Sequence, residues 1–434
     1  MKPHPPRSPH GRAGGAPDVD LALLGAGGAG LAVLHALAHR DLTVGLPRPV
    51  RVLVVDPVPD DDAAARHRTW CFWADANVSV PSAVGVTWRH VRVRDATRDL
   101  VLDLDPMRYH LVRSADLAAR VADLVRRAPR LHVERVVAPA EQVTSCAEDA
   151  HLLVGGRPRT ARLVLDSRPT RPVRAGSVWW WQHFRGWTLP AGALPAAAGP
   201  LVADLMDFRT AQPATGLSFG YLLPLPDGRA LAEYTEFSPA RLDDAGYDRA
   251  LRAYLAQLGV SPDVRPEHVE TGAIPMTDGA FALSVGARVL RVGTAGGATR
   301  GSTGYTFSAM LRDGEAVADL VCRGALEGPG PLRLPPPYPA RHRWMDAVQL
   351  QALAAGRLDG PRFFTDLFER KPASQVLRFL DGTTTVREEV GIMQASPTWV
   401  MSRSAGEDAI ARLRRVVRRE AAASTAPVPV VTDR

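Results

Sequence analysis

Residues 19–30 read VDLALLGAGGAG, an apolar strand from Asp20 to Leu24 that stops at a turn carrying Gly25, Gly27 and Gly30. The glycines are spaced G-x-G-x-x-G, and beyond them Leu31, Val33, Leu34, Leu37 and Ala38 fall at helical intervals. Val50 to Asp56 (VRVLVVD) follows as a second continuous apolar run, the kind a parallel sheet buries on both faces. Strand, glycine turn, helix and strand make a βαβ unit. Such a turn lets the backbone approach a pyrophosphate, while the helix N-terminus offers free N–H groups and partial positive charge. Asp56 stands 26 residues after Gly30, where an acid meets a ribose 2′-hydroxyl and disfavours a 2′-phosphate. A Rossmann-like core that holds no nucleotide is the plain alternative.

Outward from this unit, Ser114 to Arg127 has helical spacing, and Leu131 to Val137 and Ala161 to Asp166 read as strands. Gly216 to Leu225 and Arg229 to Phe237 are strand-like runs joined by the turn Pro226-Asp227-Gly228. Val289 to Val292 is a short buried strand, followed by a second glycine-rich segment with Gly293, Gly296, Gly297 and Gly304, then a helix from about Thr306 to Arg323. An NAD site needs no such distal strand, loop and helix. FAD enzymes of the two-domain flavoprotein type place the ribityl chain and flavin ring there, with the helix N-terminus toward the pyrimidine ring. The expected class is therefore α/β: a Rossmann-like FAD-binding domain, a mixed-sheet substrate domain and a helical C-terminal region. The boundaries read as a tail over 1–17, FAD-binding residues 18–170 and 286–328, a substrate domain with its hairpin over 171–285, helices over 329–420 and a flexible tail over 421–434.

Composition narrows the function classes. The net charge of +7 is almost all arginine and is spread along the chain, which argues against a nucleic-acid footprint. Cys71, Cys146 and Cys322 show neither metal-ligand spacing nor an even disulfide framework, so no metal is expected and a reduced cytoplasm fits. The apolar run Leu21 to Leu34 follows Asp18 and Asp20 and is centred on glycines, so it is not read as a signal peptide. No window approaches the apolar length of a spanning helix, and the expectation is a soluble or peripheral protein.

Several stretches resemble flavin-dependent lycopene cyclases of the bacterial and plant type: residues 19–30 with Asp56, Arg68 to Trp73 (RTWCFW), Tyr109 to Arg113 (YHLVR), Leu165 to Pro169 (LDSRP), Leu231 to Thr235 (LAEYT) and Gly293 to Phe307. The likeness runs in order from about residue 18 to residue 400. It implies a non-redox isomerase: an acid in the segment matching Leu231 to Thr235 protonates a terminal double bond of lycopene, the cation is attacked by a neighbouring alkene, and proton loss leaves a β-ring. It further implies FAD active in its reduced form, NAD(P)H as reductant, a carotenoid substrate, and a cytoplasmic enzyme that touches the membrane surface. Arg113 would meet the pyrophosphate.

The residues themselves single out Glu233 as the acid. It lies on an apolar strand that should raise its pKa, and it shares a face with Thr235 but not with Glu236. Where plant-type members carry two adjacent acids, this chain has Tyr234 second, so a helper acid is unassigned. Trp70, Trp73, Trp180, Tyr234 and Tyr305 are candidates for the electron-rich wall a cation needs. Phe363 to Phe368 with Val376, Leu377, Phe379 and Leu380 reads as an apolar docking surface or as a helix packed on the core. The nearest rival function is an isoprenoid monooxygenase or prenyl reductase of the same fold.

Overall fold

The computed structural model describes residues 16–59, 62, 66–75, 83–173, 176–195 and 202–410. The expected tails 1–17 and 421–434 fall outside them, except for residues 16 and 17.

Val19–Leu24 is the central strand of the first sheet. It runs parallel to Val50–Asp56 on one side and Arg157–Asp166 on the other. Leu131–Val137 extends the sheet beyond Val50–Asp56, Val289–Arg291 adds in parallel to Arg157–Asp166, and the hairpin Ala140–Ser145 with Ala150–Val154 completes the edge. Residues 21–24 and 52–55 of the central strands are apolar throughout because both faces are covered. Leu21, Leu23, Val52 and Val54 pack with the helices Gly28–Thr43, Ser114–Arg127 and Phe307–Cys322, while Ala22, Leu24, Leu53 and Val55 pack with the hairpin. Each such Leu or Val stabilises the fold by about 1.5–3 kcal/mol over leaving it in water.

The second sheet has the strand order His268–Thr277, Trp179–Leu189, Ala230–Ser238, Leu217–Pro224, Ala203–Asp207, His90–Arg94, Asp99–Asp103. The expected hairpin is present as Leu217–Pro224 with Ala230–Ser238. Its neighbours correct the expected boundary of 18–170: His90–Arg94 and Asp99–Asp103 lie inside that range yet pair into this sheet through Ala203–Asp207. Pairing between strands so far apart in the chain is set by packing, which local pattern does not report.

Alternation gives the second sheet two different faces. Trp187, Ala232 and Tyr234 face a helix the sequence reading did not single out, Asp244–Gln257, and bury Tyr247, Leu251 and Tyr254 beneath it. Asp243 caps this helix by accepting from the Gly246 amide at 2.7 Å. The opposite face carries Leu217, Phe219, Tyr221, Leu231 and Phe237, which pack against the C-terminal helices Gly360–Arg370 and Ala373–Asp381. Phe363, Phe364, Leu367, Phe368, Val376, Leu377, Phe379 and Leu380 are all buried there, so the expected docking stretch is chiefly a packed core. Phe363 and Phe379 also line an apolar groove with Trp344, Met393 and Met401.

A small third sheet, Thr69–Asp75 with Met107–Arg113 and Val84–Trp88, joins the two larger ones. Its Phe72 and Val112 belong to the core of the first sheet, and its Trp73, Tyr109 and Leu111 to the core of the second. Among the described residues no helix is long and apolar enough to cross a membrane.

Candidate functional site

The three glycines of the first turn do three different things. Gly25 has a φ of +109° and sits against Ser167, a backbone conformation L side chains rarely adopt. Gly30 packs so tightly on the Gly25 carbonyl that a β-carbon there would overlap it. Gly27, the residue before the first helical turn, has nothing within 4 Å of where a β-carbon would stand, and no side chain caps the helix. A tight turn, an open approach and an uncapped helix N-terminus are what a dinucleotide pyrophosphate requires. The turn therefore fits such a group. Asp56 closes the turn from below: its Oδ2 accepts from the Ala26 amide at 2.6 Å and its Oδ1 from the Val58 amide at 2.8 Å. A carboxylate has further lone pairs for a ribose hydroxyl.

The second glycine segment sits beside the first. Gly293, with φ of +62°, stands against Ala29, and Gly296 and Gly297 end the short turn Gly293–Gly296. Gly304, with φ of +73°, packs on the side chain of Gln182. Arg300, fully buried, bonds Asp346 at 2.6 Å and so ties this loop to the helix Ala340–Ala354. The helix Phe307–Cys322 begins directly after it, again without a side-chain cap.

Trp70 joins these two segments to a cavity. It lies 3.1 Å from where a Gly28 β-carbon would stand and stacks on Phe307 at 5.2 Å between centroids. The cavity beyond is lined by Trp70, Cys71, Tyr109, Gln182, Tyr221, Glu233, Tyr305 and Phe307 among others. Trp73 meets Tyr305 edge-on at 4.5 Å, and the Tyr305 and Tyr221 hydroxyls are 3.4 Å apart. Gln182 Oε1 is buried here without a hydrogen-bond partner, which leaves an acceptor for whatever occupies the space.

Glu233 reaches the cavity because residues opposite one another across a sheet share a face: Tyr221, Glu233 and Gly186 are in register. Thr235 donates to Glu233 Oε1 at 2.6 Å. Burial outweighs that bond and pushes the Glu233 carboxyl from its ordinary 4.5 up to about 8, with nearby Glu270 adding to the rise. Burial likewise raises the Cys71 thiol to about 12 and holds the Tyr109 hydroxyl neutral. Near neutral pH the wall is thus an uncharged set of rings around a protonated acid.

The raised value has a measurable consequence. The unfolded chain releases the Glu233 proton near 4.5 and the native state near 8, so between these the native state binds more protons. Stability from this site is present below the lower value and is lost as pH rises toward the upper one. Glu233→Gln removes the loss. Its Tm relative to wild type should rise by several degrees between about pH 5 and about pH 8, as read by thermal unfolding.

Four expected site residues are placed elsewhere. Trp73 is buried in the hydrophobic core and meets the cavity wall only through Tyr305. Tyr234 is on the far face, where its hydroxyl donates to Glu236 Oε2 at 2.9 Å; the alternation that brings Glu233 in turns its neighbour out. Trp180 is buried in the hydrophobic core two residues before Gln182 and does not line the cavity. Arg113 alternates with Val112, which faces the first sheet's core, so its side chain lines a separate cavity with Asp116 and Asp227. Residues not singled out from sequence are Gln182, Tyr221 and Glu270; the period-2 pattern of their strands was the available signal. Away from the cavity, Cys146, Asp149 and His151 bring one ligand atom each within 4.8 Å of one another, a grouping that cysteine spacing does not reveal.

The lycopene cyclase protein family matches residues 20–406 of the chain. The chain belongs to that family. No curated protein matches it in sequence. Among solved structures, this lycopene cyclase family member is similar to a geranylgeranyl bacteriochlorophyll reductase-like protein from Thermoplasma acidophilum, at 11% identity, with a TM-score of 0.61 over 89% of this chain and 98% of that one. It is also similar to the p-nitrophenol 4-monooxygenase PnpA from Pseudomonas putida DLL-E4, at 14% identity, with a TM-score of 0.55 over 90% and 97%. These likenesses carry the fold, that of two-domain flavoproteins.

Proposed function

We propose that the protein is a lycopene β-cyclase that closes ψ-ends to β-rings by acid-initiated cation chemistry, without net oxidation or reduction. The observation that carries the reading is Glu233: a carboxylic acid kept protonated by burial, opening on an aromatic cavity beside a fitting dinucleotide turn. The O–H bond of Glu233 breaks as a C–H bond forms at the terminal alkene. The neighbouring alkene supplies the electron pair of the new C–C bond, and loss of a ring proton leaves the product with unchanged mass. Trp70 and Tyr305 line the cavity and would offer electron-rich rings to the cationic stage. The same walls exclude water, which would trap the cation as an alcohol.

FAD is the group whose ADP half the turn at Gly25, Gly27 and Gly30 would hold; in its reduced form, supplied by NAD(P)H, it would contribute electron density beside the cavity. Gly293 and Gly304 would border it, with Gln182 Oε1 available to a donor. The substrate is a long hydrocarbon, so the enzyme must meet a membrane surface. Trp344 and Trp399, both exposed, stand beside the apolar groove of the C-terminal helices and suit that contact.

Expression in a lycopene-accumulating bacterium tests this reading. The expected result is pigment of identical mass carrying one or two β-rings. Oxygenated or hydrogenated pigment from a well-folded, flavin-loaded protein would instead establish the monooxygenase or reductase reading.

A further inference from the structure

The cyclase reading leaves Glu233 a carboxylate after each protonation, inside an apolar cavity. Cys71 and the tyrosines of the wall, held neutral by burial, are poor sources of a replacement proton. A second acid stands on the same sheet face. Gly186 pairs with Glu233 on one side and with Glu270 on the other, so the two carboxylic acids flank a residue that has no side chain. Strand spacing puts their backbones about 10 Å apart on one face, a gap that two glutamate side chains can bridge directly or through water. Glu233 leans into that gap: its Oε2 lies 3.6 Å from where a Gly186 β-carbon would be.

Glu270 is in turn joined to the surface. Its Oε1 accepts from the Thr69 amide at 2.9 Å, and its Oε2 lies 3.7 Å from His67 Nδ1. That nitrogen has no hydrogen-bond partner. The His67 ring is partly exposed and packs on His268 at 3.6 Å between centroids. The charged or titratable groups near Glu270 are Glu233 across the sheet, Cys71 on the strand Thr69–Asp75, and His67 with Arg68 just before that strand. His268, Arg113 and Arg68 act on His67.

Resting on the cyclase reading, we propose that Glu270 is a proton-relay residue that links Glu233 to solvent through His67. After ring closure the Glu233 carboxylate takes the proton lost from the ring. Between turnovers that proton passes from Glu233 to a Glu270 carboxylate, from Glu270 to His67 and from His67 to water, and a solvent proton returns along the same path, so the cycle is balanced. Burial, with His268, holds the His67 pKa below 6.5, and a neutral imidazole can accept at one nitrogen and donate at the other. Burial also raises the Glu270 carboxyl, which brings it closer to Glu233 in proton affinity.

The test is cyclisation in D2O by full-length, flavin-loaded enzyme, comparing wild type with Glu270→Gln and His67→Gln. Wild type should place about one deuterium on each ring formed, since its acid is refilled from solvent. Both variants should keep kcat within about threefold of wild type with KM unchanged, because the ring proton alone can restore the acid. Deuterium per ring should fall, because Glu233 then reuses the proton lost by the ring. Damage to structure alone would lower the rate but leave deuterium per ring as in wild type. Variants with wild-type deuterium content overturn the relay, and if Glu270→Gln does not fold, His67→Gln decides alone. Wild type that forms no rings at all overturns the cyclase reading instead.

Discussion

Glutamine at position 233 is expected to stop ring formation, lowering turnover by about three orders of magnitude with flavin content and substrate affinity unchanged. The amide matches the shape of the protonated acid and accepts the same bond from Thr235, 2.6 Å away in the native chain. It has no proton acidic enough to give to an alkene. Glu233→Asp keeps the acid but withdraws it by one methylene, and should restore a measurable part of the activity. Pigment analysis at equal protein levels reads both variants. A glutamine enzyme that still makes β-rings at the wild-type rate would remove Glu233 as the acid while leaving the cyclase reading intact. In wild type, activity should decline above about pH 8, where Glu233 gives up its proton.

Two alanines in the first glycine turn should separate binding from folding. Gly27 has φ −79° and ψ −164°, open to any residue, with no atom near the new methyl group. Gly27→Ala should therefore keep its stability within about 0.5 kcal/mol, yet bind FAD at least on the order of tenfold more weakly, because the methyl occupies the approach to the helix N-terminus. Gly30→Ala places its β-carbon on the Gly25 carbonyl oxygen, so backbone must move. A loss of about 2–4 kcal/mol is expected, with poor flavin loading as a consequence. Flavin titration and thermal unfolding together distinguish the two. If Gly27→Ala binds FAD as wild type does, the turn is not the pyrophosphate cradle.

How much of this was legible depends on distance along the chain. Ser114–Arg127 matches its apolar spacing residue for residue, because Leu117, Val121 and Leu124 are a self-contained helical face. The hairpin around Pro226-Asp227-Gly228 was equally plain, its turn taking Gly228 to a φ of +82°. The helix Asp244–Gln257 was as legible, with Asp243 as its cap and Tyr247, Leu251, Tyr254 and Leu255 at helical spacing, and the sequence reading passed over it. Tyr234 was misjudged. An aromatic ring beside an acid suggests a shared site, but strand alternation places adjacent residues on opposite faces.

By itself the sequence determined the βαβ unit with its three glycines, and the face of the strand on which Glu233 stands. Both follow from short-range geometry: the period of a helix or strand and the backbone freedom of glycine act within a few residues. Only the tertiary structure decided that Trp70 bridges Gly28 and the cavity, that His90–Arg94 joins the second sheet, and that Glu270 lies across Gly186 from Glu233. Periodicity says which residues share a face. Which distant strand lies beside that face, and in what register, is settled by how whole surfaces bury one another.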